Sequence, residues 1–186
     1  MRKSFGANAY CYPMPVLMLA VYDEKGGIQM MNAAWGGISG SAEMTLCVSP
    51  GHRTVKEIRR KKEFTISMGD AAHVTECDYL GIVSGNDVPD KVTRAGFHGS
   101  AAAHVDAPVI DELPMTLECR LKSYDEESHH LVAEIVDVCA DESILGSDGS
   151  IDPALLRPIT YDPVNHTYRV LGEVVGTAFG EGEKLK

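Results

Sequence analysis

The sequence predicts a mainly β fold, an antiparallel barrel with Greek-key-like connections and a few short helices between its strands. Short apolar or alternating runs are separated by clusters of Gly, Pro, Asp, Asn and Ser, which is the pattern of strands and tight turns. Only two or three segments have the capping residues of helices, and they do not alternate with strands as in a βαβ sheet. No internal repeat and no dinucleotide-binding or P-loop glycine motif is present, so neither of those folds is indicated.

The first third of the chain is predicted to form a hairpin, a third strand and a helix. Residues 1–12 are expected to form an N-terminal arm, anchored by tyrosines. The predicted elements then follow in order: strand 16–22, a turn at 23–27, strand 28–34, a Gly-rich bend at 36–40, strand 45–49, helix 54–62 and strand 64–68.

The remaining chain contains one more helix and the two longest strands. Asp70 is a predicted N-cap for a helix over 71–80, which Gly81 would end. The later predicted elements are a loop at 84–89, a short segment at 90–95, an extended run at 108–113, paired strands 115–124 and 130–140 around a charged turn, a loop at 147–149, a helical turn at Pro153, and extended pieces at 158–161 and 168–172. Residues 180–186 form a polar tail.

Size and charge limit the classes of function. The chain of 186 residues fits a single domain over 1–186 and can bury a sizeable core. Its net charge of −10 argues against a nucleic-acid partner, because phosphate-backbone binding depends on clustered Lys and Arg. The one basic run, residues 59–62, is most simply a solvated helix face, although it could meet an anionic ligand or an acidic redox partner.

Cysteine usage and hydropathy favour a cytoplasmic protein. The five cysteines form no C-x-x-C pair and leave an odd one, which suits a reducing compartment, and we expect most of them to be core residues. The apolar run 16–22 is short, follows two prolines and ends in charged residues, so neither a signal peptide nor a membrane span is expected.

Residues 49–57 have the features of an anion site at a helix start. A Ser-Pro-Gly turn at 49–51 leads into Thr54, and Glu57 follows three residues later, which is the spacing of a capping box. The first amides of a helix lack partners and carry the positive end of its dipole. With Arg53, His52 and two hydroxyl groups beside them, they suit a phosphate, although spacing alone favours the simpler interpretation that Ser49 and Thr54 cap a surface helix.

Other chemically active residues give weaker signals. His73 and Cys77 are four residues apart on a predicted helix, but no second ligand pair accompanies them, so no metal site is assigned. A nucleophilic pair of Cys77 or Cys119 with His130 has no support from spacing either. Trp35, the single tryptophan, precedes two glycines that would let backbone approach a flat ligand closely, although an isolated tryptophan is more often a core residue.

An ordered set of short motifs resembles the flavin reductase-like family, and within it the flavoredoxin branch. The motifs are Pro15-Val16 at a strand start, Asn32-Ala33-Ala34-Trp35, Arg53 to Ile58 leading to Phe64, Ser84-Gly85 before Asp90-Lys91, Leu117-Glu118-Cys119, and His130 opening the run to Ile135. The resemblance extends from about residue 13 to 179 and weakens after about 141. It implies an FMN-binding split β-barrel that forms a homodimer with FMN at or near the interface.

The resemblance also implies a set of site residues. Asn32, Ala33, Ala34 and Trp35 would line the isoalloxazine ring; Ser49, Arg53 and Thr54 would hold the phosphate; Ser84 and Lys91 would reach the ribityl-phosphate end; His130 would lie near the ring or phosphate; and Tyr161 or Tyr168 would form an aromatic wall. For the phosphate, the resemblance and the physics of the helix start agree.

Two functions from different classes follow from this resemblance. The first is an NAD(P)H-dependent flavin reductase, with hydride passing from nicotinamide to the flavin and no proton donor assigned. The second is an electron carrier that binds FMN and exchanges electrons with a protein partner without using nicotinamide. A barrel that holds another flavin or a haem is a third possibility, although no axial haem ligand is evident.

Overall fold

The computed structural model describes all residues from 1 to 186 and consists mainly of antiparallel strands. The strands are β1 (Met14–Pro15), β2 (Leu17–Tyr22), β3 (Ile28–Ala33), β4 (Gly36–Gly40), β5 (Glu43–Cys47), β6 (Glu63–Met68), β7 (Gly99–Ala101), β8 (Pro108–Ile110), β9 (Met115–Tyr124), β10 (His130–Ala140), β11 (Ile159–Asp162) and β12 (Thr167–Val170). The α-helices are α1 (Arg53–Lys61), α2 (Val74–Ile82), α3 (Lys91–Arg94) and α4 (Pro153–Leu156), and short 3₁₀ helices span Glu142–Ile144 and Glu181–Leu185.

A curled seven-stranded sheet forms the body of the molecule. Its strand order is β3-β2-β6-β9-β10-β5-β4, and every pairing is antiparallel. A three-stranded sheet, β1-β11-β12, and the hairpin β7-β8 complete the structure. The predicted mainly β, antiparallel fold class is confirmed, as are the first hairpin and the long pair β9-β10.

Strand β2 lies between two hydrophobic cores, which explains its uninterrupted apolar sequence. Leu17, Leu19 and Val21 face the larger core, under α1 and the concave sheet. Met18 and Ala20 face the second core, which α2 and α3 cover from the other side. Because alternate side chains point to opposite faces of a strand, burial on both faces requires an apolar residue at every position.

Helix α1 begins one residue earlier than expected, and its N-cap differs from the predicted one. His52 occupies the N-cap position with an extended backbone and no side-chain cap. Thr54 is therefore the second helical residue, and it is buried. The predicted capping box is wrong because Glu57 is drawn to two cations of its own helix, Arg53 and Arg60, each at 2.7 Å.

Two glycine assignments also differ from the sequence-based expectation. The Gly-rich segment 36–40 is an edge strand paired with β5 and not a bend. Gly81 does not end α2, because the helix continues to Ile82 and is capped at Val83. The start of α2 was also predicted wrongly, because the helix begins at Val74 with His73 as its N-cap. Asp70 is not the cap; its Oδ1 accepts hydrogen bonds from the amides of Ala72 and His73 in the turn that precedes the helix.

The basic run in the last turn of α1 forms ion pairs with acidic residues of the same chain. Arg59 pairs with Glu126, Arg60 with Glu57, and Lys61 with Asp106. Three of the four residues of the run are therefore engaged in internal ion pairs. The longest helices have nine residues, about 14 Å at 1.5 Å per residue, and none qualifies as a membrane span.

Candidate functional site

One cavity of about 460 Å³ collects most of the residues expected at the site. It lies where the end of β3 meets the N-terminus of α1, the C-terminus of α2 and the β11-β12 hairpin. Nine of the eleven predicted residues line it: Asn32, Ala33, Ala34, Trp35, Arg53, Thr54, Ser84, Lys91 and Tyr161. The N-terminus of α1, where a phosphate is expected, and the single tryptophan therefore lie in one cavity.

The start of α1 provides one end of this cavity. The amides of Arg53, Thr54 and Val55 have no acceptor within the chain, because the first turn of a helix lacks preceding carbonyls. They carry the positive end of the helix dipole. Three free donors beside the Arg53 side chain make this end suited to an anion.

Buried positive charge strengthens the same end. Lys91 is 3% exposed, and its Nζ donates to the carbonyl oxygens of Leu80 and Val83, both at 2.7 Å. These carbonyls end α2, where the helix dipole favours a cation. Burial lowers the pKa of Lys91 to about 8, and burial together with the Lys91 charge lowers the pKa of His52. An anion bound here would favour the protonated forms of Lys91 and His52 and so raise both pKa values again.

Aromatic side chains form the opposite end of the cavity. Trp35 is half-exposed, and its ring centroid lies 6.5 Å from that of Tyr161, which lies 6.1 Å from that of Tyr168. The Tyr168 hydroxyl donates to Asp78 at 2.7 Å, which fixes that ring. The amides of Ala34 and Trp35 have no acceptor within the chain. This end can accommodate a flat ring that carries hydrogen-bond acceptors at its edge.

Comparison with known proteins identifies the family. A model of the flavin reductase like domain matches residues 9–165, which is most of the chain. The chain belongs to the flavin reductase-like family. No protein with a curated description matches the sequence.

Solved structures of this family superpose closely on the chain. Flavoredoxin of Desulfovibrio vulgaris (Miyazaki F) is 35% identical with a TM-score of 0.93, over 98% of this chain and 100% of that one. A flavoredoxin from Methanosarcina acetivorans is 25% identical with a TM-score of 0.88, over 100% of both chains. An FMN-binding domain of a flavin reductases-like enzyme from Shewanella baltica OS155 is 20% identical with a TM-score of 0.77, over 88% of both. The predicted split-barrel architecture is confirmed.

Two of the residues expected at the flavin reductase-like site lie outside the cavity. Ser49 is exposed, and its hydroxyl accepts from the amide of Gly51 at 3.3 Å, so it shapes the turn before α1. His130 is exposed at the start of β10, opposite Cys47 in the neighbouring strand. Cys47 lines the cavity, so β5 lies between His130 and the cleft.

Some cavity residues were not found by sequence reasoning, among them Cys47 and Ile82. His52, which the sequence placed beside the expected phosphate at the helix start, also lines the cavity. Cys47 and Ile82 carry no sequence signal, since they resemble ordinary strand and helix residues.

The structure gives the two cysteine-based alternatives no support. His73 Nδ1 lies 2.9 Å from Asp70, and Cys77 is fully buried in the second core. Burial raises the pKa of both Cys77 and Cys119 to about 12, so neither thiol is a ready nucleophile. Cys11 and Cys47 are exposed, so fewer of the five cysteines are core residues than expected.

Asn32 connects the cavity wall to α2 through a close contact with Gly81. Its Nδ2 donates to the Cys77 carbonyl at 3.0 Å. A Cβ added at Gly81 would lie 2.3 Å from that nitrogen, so only glycine lets the Asn32 side chain reach the helix. The glycine is thus explained by close packing and not by helix termination.

Replacing Gly81 with alanine is therefore expected to destabilise the protein by about 1–3 kcal/mol, since Asn32 must give up its hydrogen bond inside the fold. Chemical denaturation measures this. In an Asn32→Ala background the clash is gone, and Gly81→Ala should then be neutral or stabilising by up to about 1 kcal/mol, the usual preference for alanine in a helix. An equal penalty in both backgrounds would show that the contact with Asn32 is not the cause.

Proposed function

We propose that this chain is an FMN-binding oxidoreductase of the NAD(P)H:flavin type. One observation carries the proposal: a single cavity has free amides and buried positive charge at one end and three aromatic side chains at the other. These two ends match a ligand with a flat ring and a phosphate tail. The likeness to an FMN-binding domain of a flavin reductases-like enzyme from Shewanella baltica OS155 supports FMN as that ligand.

The residues of the chain divide between the two parts of FMN. The α1 amides and Arg53 would hold the phosphate, with Lys91 as a buried point charge and Ser84 beside it. The backbone at Ala33, Ala34 and Trp35 would meet the edge of the ring. When bound, FMN would supply the electron chemistry, by taking up a hydride equivalent and passing the electrons on.

The protein's own contribution would be binding, orientation and electrostatics. The free amides of Ala34 and Trp35 would stabilise negative charge on the reduced ring, as backbone amides do in an oxyanion hole. The exposed side chains of Trp35 and Ile82 flank the cavity, so an external reductant such as nicotinamide can approach from this side. No side chain is assigned as a proton donor.

A second candidate function is an electron carrier that holds FMN and exchanges electrons with another protein. The likeness to a flavoredoxin at 35% identity over nearly the whole chain favours it. In this case FMN binding and the roles of the cavity residues stay the same, and only the source of electrons differs.

Anaerobic mixing of the FMN-loaded protein with NADH or NADPH tests the proposal. We expect the flavin absorption near 450 nm to bleach within seconds, on the order of the turnover of ordinary enzymes. Bleaching by dithionite but by neither nucleotide would reject the nicotinamide-dependent function and favour the carrier. Failure to retain or bind FMN at all would reject both. Gel filtration of the same sample tests the expected homodimer with FMN near its interface, which a monomer would contradict.

A further inference from the structure

Three potential metal ligands converge on the sheet away from the FMN cavity. His104 Nδ1 lies 3.6 Å from Glu118 Oε1 and 3.6 Å from Asp137 Oδ2, and one donor atom from each of the three side chains lies within 4.8 Å of the others. Glu118 and Asp137 are register partners on β9 and β10, and His104 comes from the loop between β7 and β8. None of them lines the cavity.

The buried carboxylate of Glu118 lacks a fixed positive partner. Its side chain is 2% exposed, and no lysine or arginine lies within 4.0 Å of it. It accepts only from the amides of Ala103 and His104, at 3.2 and 2.6 Å. A buried charge normally requires an ion pair or a metal, whereas the ionisable groups near this one are an imidazole, a second carboxylate and the thiols of Cys119 and Cys139.

The chain holds His104 firmly beside this carboxylate. The His104 amide donates to Glu118 Oε2, and its carbonyl accepts from Arg120 Nη2 at 3.0 Å. Arg120 is itself bound to Glu63 at 3.0 Å. The backbone of His104 is therefore fixed on both of its polar groups, which limits the positions that the imidazole can take beside Glu118.

We propose that His104, Glu118 and Asp137 bind a divalent transition-metal ion, with Zn²⁺ as the representative case. One imidazole nitrogen and two carboxylates form a borderline donor set that such ions accept, with water completing the coordination. Tetrahedral Zn²⁺ requires donor atoms about 3.4 Å apart, close to the 3.6 Å found here. The donor atoms of all three side chains lie within 4.8 Å of one another. Small rotations of the half-exposed side chains of His104 and Asp137 can bring them to the distances that the ion requires. The ion would neutralise Glu118 and fix the β7-β8 loop on the sheet.

The test is calorimetric titration of the tag-free, metal-stripped protein with ZnCl₂, together with thermal unfolding. We expect one Zn²⁺ per chain at this site and a higher melting temperature when it is bound. His104→Gln and Asp137→Asn should each weaken this binding at least about tenfold and remove the thermal shift. Both replaced side chains are half-exposed, so the variants are expected to fold, which circular dichroism checks.

His98→Gln is the matched control. His98 Nδ1 lies 2.7 Å from Glu112 Oε1, so it forms the same type of pair without a third ligand, and its loss should leave Zn²⁺ binding unchanged. The exposed thiols of Cys11 and Cys47 are present in every variant and cannot cause a difference between them. The proposal is overturned if His104→Gln and Asp137→Asn bind Zn²⁺ like the parent, or if His98→Gln loses as much. Neither result depends on FMN binding.

Discussion

Replacing His52 with aspartate is expected to make the apo protein more stable and to weaken FMN binding by at least about 100-fold. His52 is the N-cap residue of α1 and makes no side-chain cap. Aspartate at this position can accept from a first-turn amide, which typically adds about 1 kcal/mol. The same carboxylate would also take a backbone amide that the phosphate would use. In addition, it would repel the phosphate, by about 4 kcal/mol for two unit charges 4 Å apart at the protein surface.

His52→Asn separates the two effects. Asparagine caps a helix about as well as aspartate but adds no charge. We expect a similar gain in apo stability and a much smaller loss of FMN affinity. Thermal unfolding of the apo forms and fluorescence titration with FMN measure the two quantities. If His52→Asp binds FMN like the parent while its melting temperature rises, the phosphate does not lie at the start of α1.

The opposite signs of these two changes make the test specific to this site. A substitution that merely damages the fold lowers stability and ligand affinity together. Here the helix gains a cap where the ligand loses its partner, so only a ligand that uses the free amides can produce the expected divergence. In the apo protein, the uncapped start of α1 and the buried charge of Lys91 both lower the stability of the fold. A bound anion would offset both effects.

Local patterns predicted the strands well because their signals lie within a few residues. The β9-β10 pair matches the expected bounds, since alternation and a charged turn define it without tertiary information. The β7-β8 hairpin was missed in part because β7, Gly99–Ala101, consists of small exposed residues that no strand pattern marks. It is a strand only because β8 lies beside it.

The errors at helix ends have a common physical origin in tertiary packing. Thr54 has the sequence features of a cap, but it is drawn into the buried face of α1, and the cap position passes to His52. Gly81 has the features of a helix stop, but the Asn32 side chain occupies the space where a Cβ would be. In both cases the residue type correctly indicated a region near a helix end. The packing that decided the exact boundary involves residues distant in the sequence, which local patterns do not reveal.

Most residues of the site were predicted from the family resemblance as a group, and few of them from their own local sequence. The helix-start amides follow from local spacing, whereas the convergence of Trp35, Lys91 and Tyr161 on one cleft depends on the sheet order and entered only through the family resemblance. The burial of Lys91 was not predictable, because its neighbours 84–90 have a loop composition.

FMN affinity is expected to decrease as the pH rises above about 8, because Lys91 then loses its proton in the apo protein. Burial lowers the pKa of its ammonium group to about 8 from an ordinary 10.5. A bound phosphate favours the charged form, so binding at pH 8 to 10 must take up a proton, and affinity falls by up to about tenfold per pH unit. Titration with FMN from pH 7 to 9.5 measures this slope.

The apo protein should show the opposite trend in stability. Between pH 8 and 10.5 the unfolded chain binds the Lys91 proton while the folded chain has released it, so the contribution of this group to the free energy of unfolding rises with pH. Apo stability and FMN affinity therefore diverge over the same pH range. The lowered pKa of His52 lies below this range and does not interfere.

Lys91→Met should weaken FMN binding at pH 7 by about 100-fold, the value of a desolvated charge contact, and should abolish the pH slope. Lys56→Met is the control, since Lys56 is an exposed lysine of α1 whose Nζ donates to Asn86 at 3.3 Å and which does not line the cavity. It should keep the slope of the parent. A slope that survives in a folded Lys91→Met variant would assign the titration to another group, and it would remove Lys91 from the phosphate site.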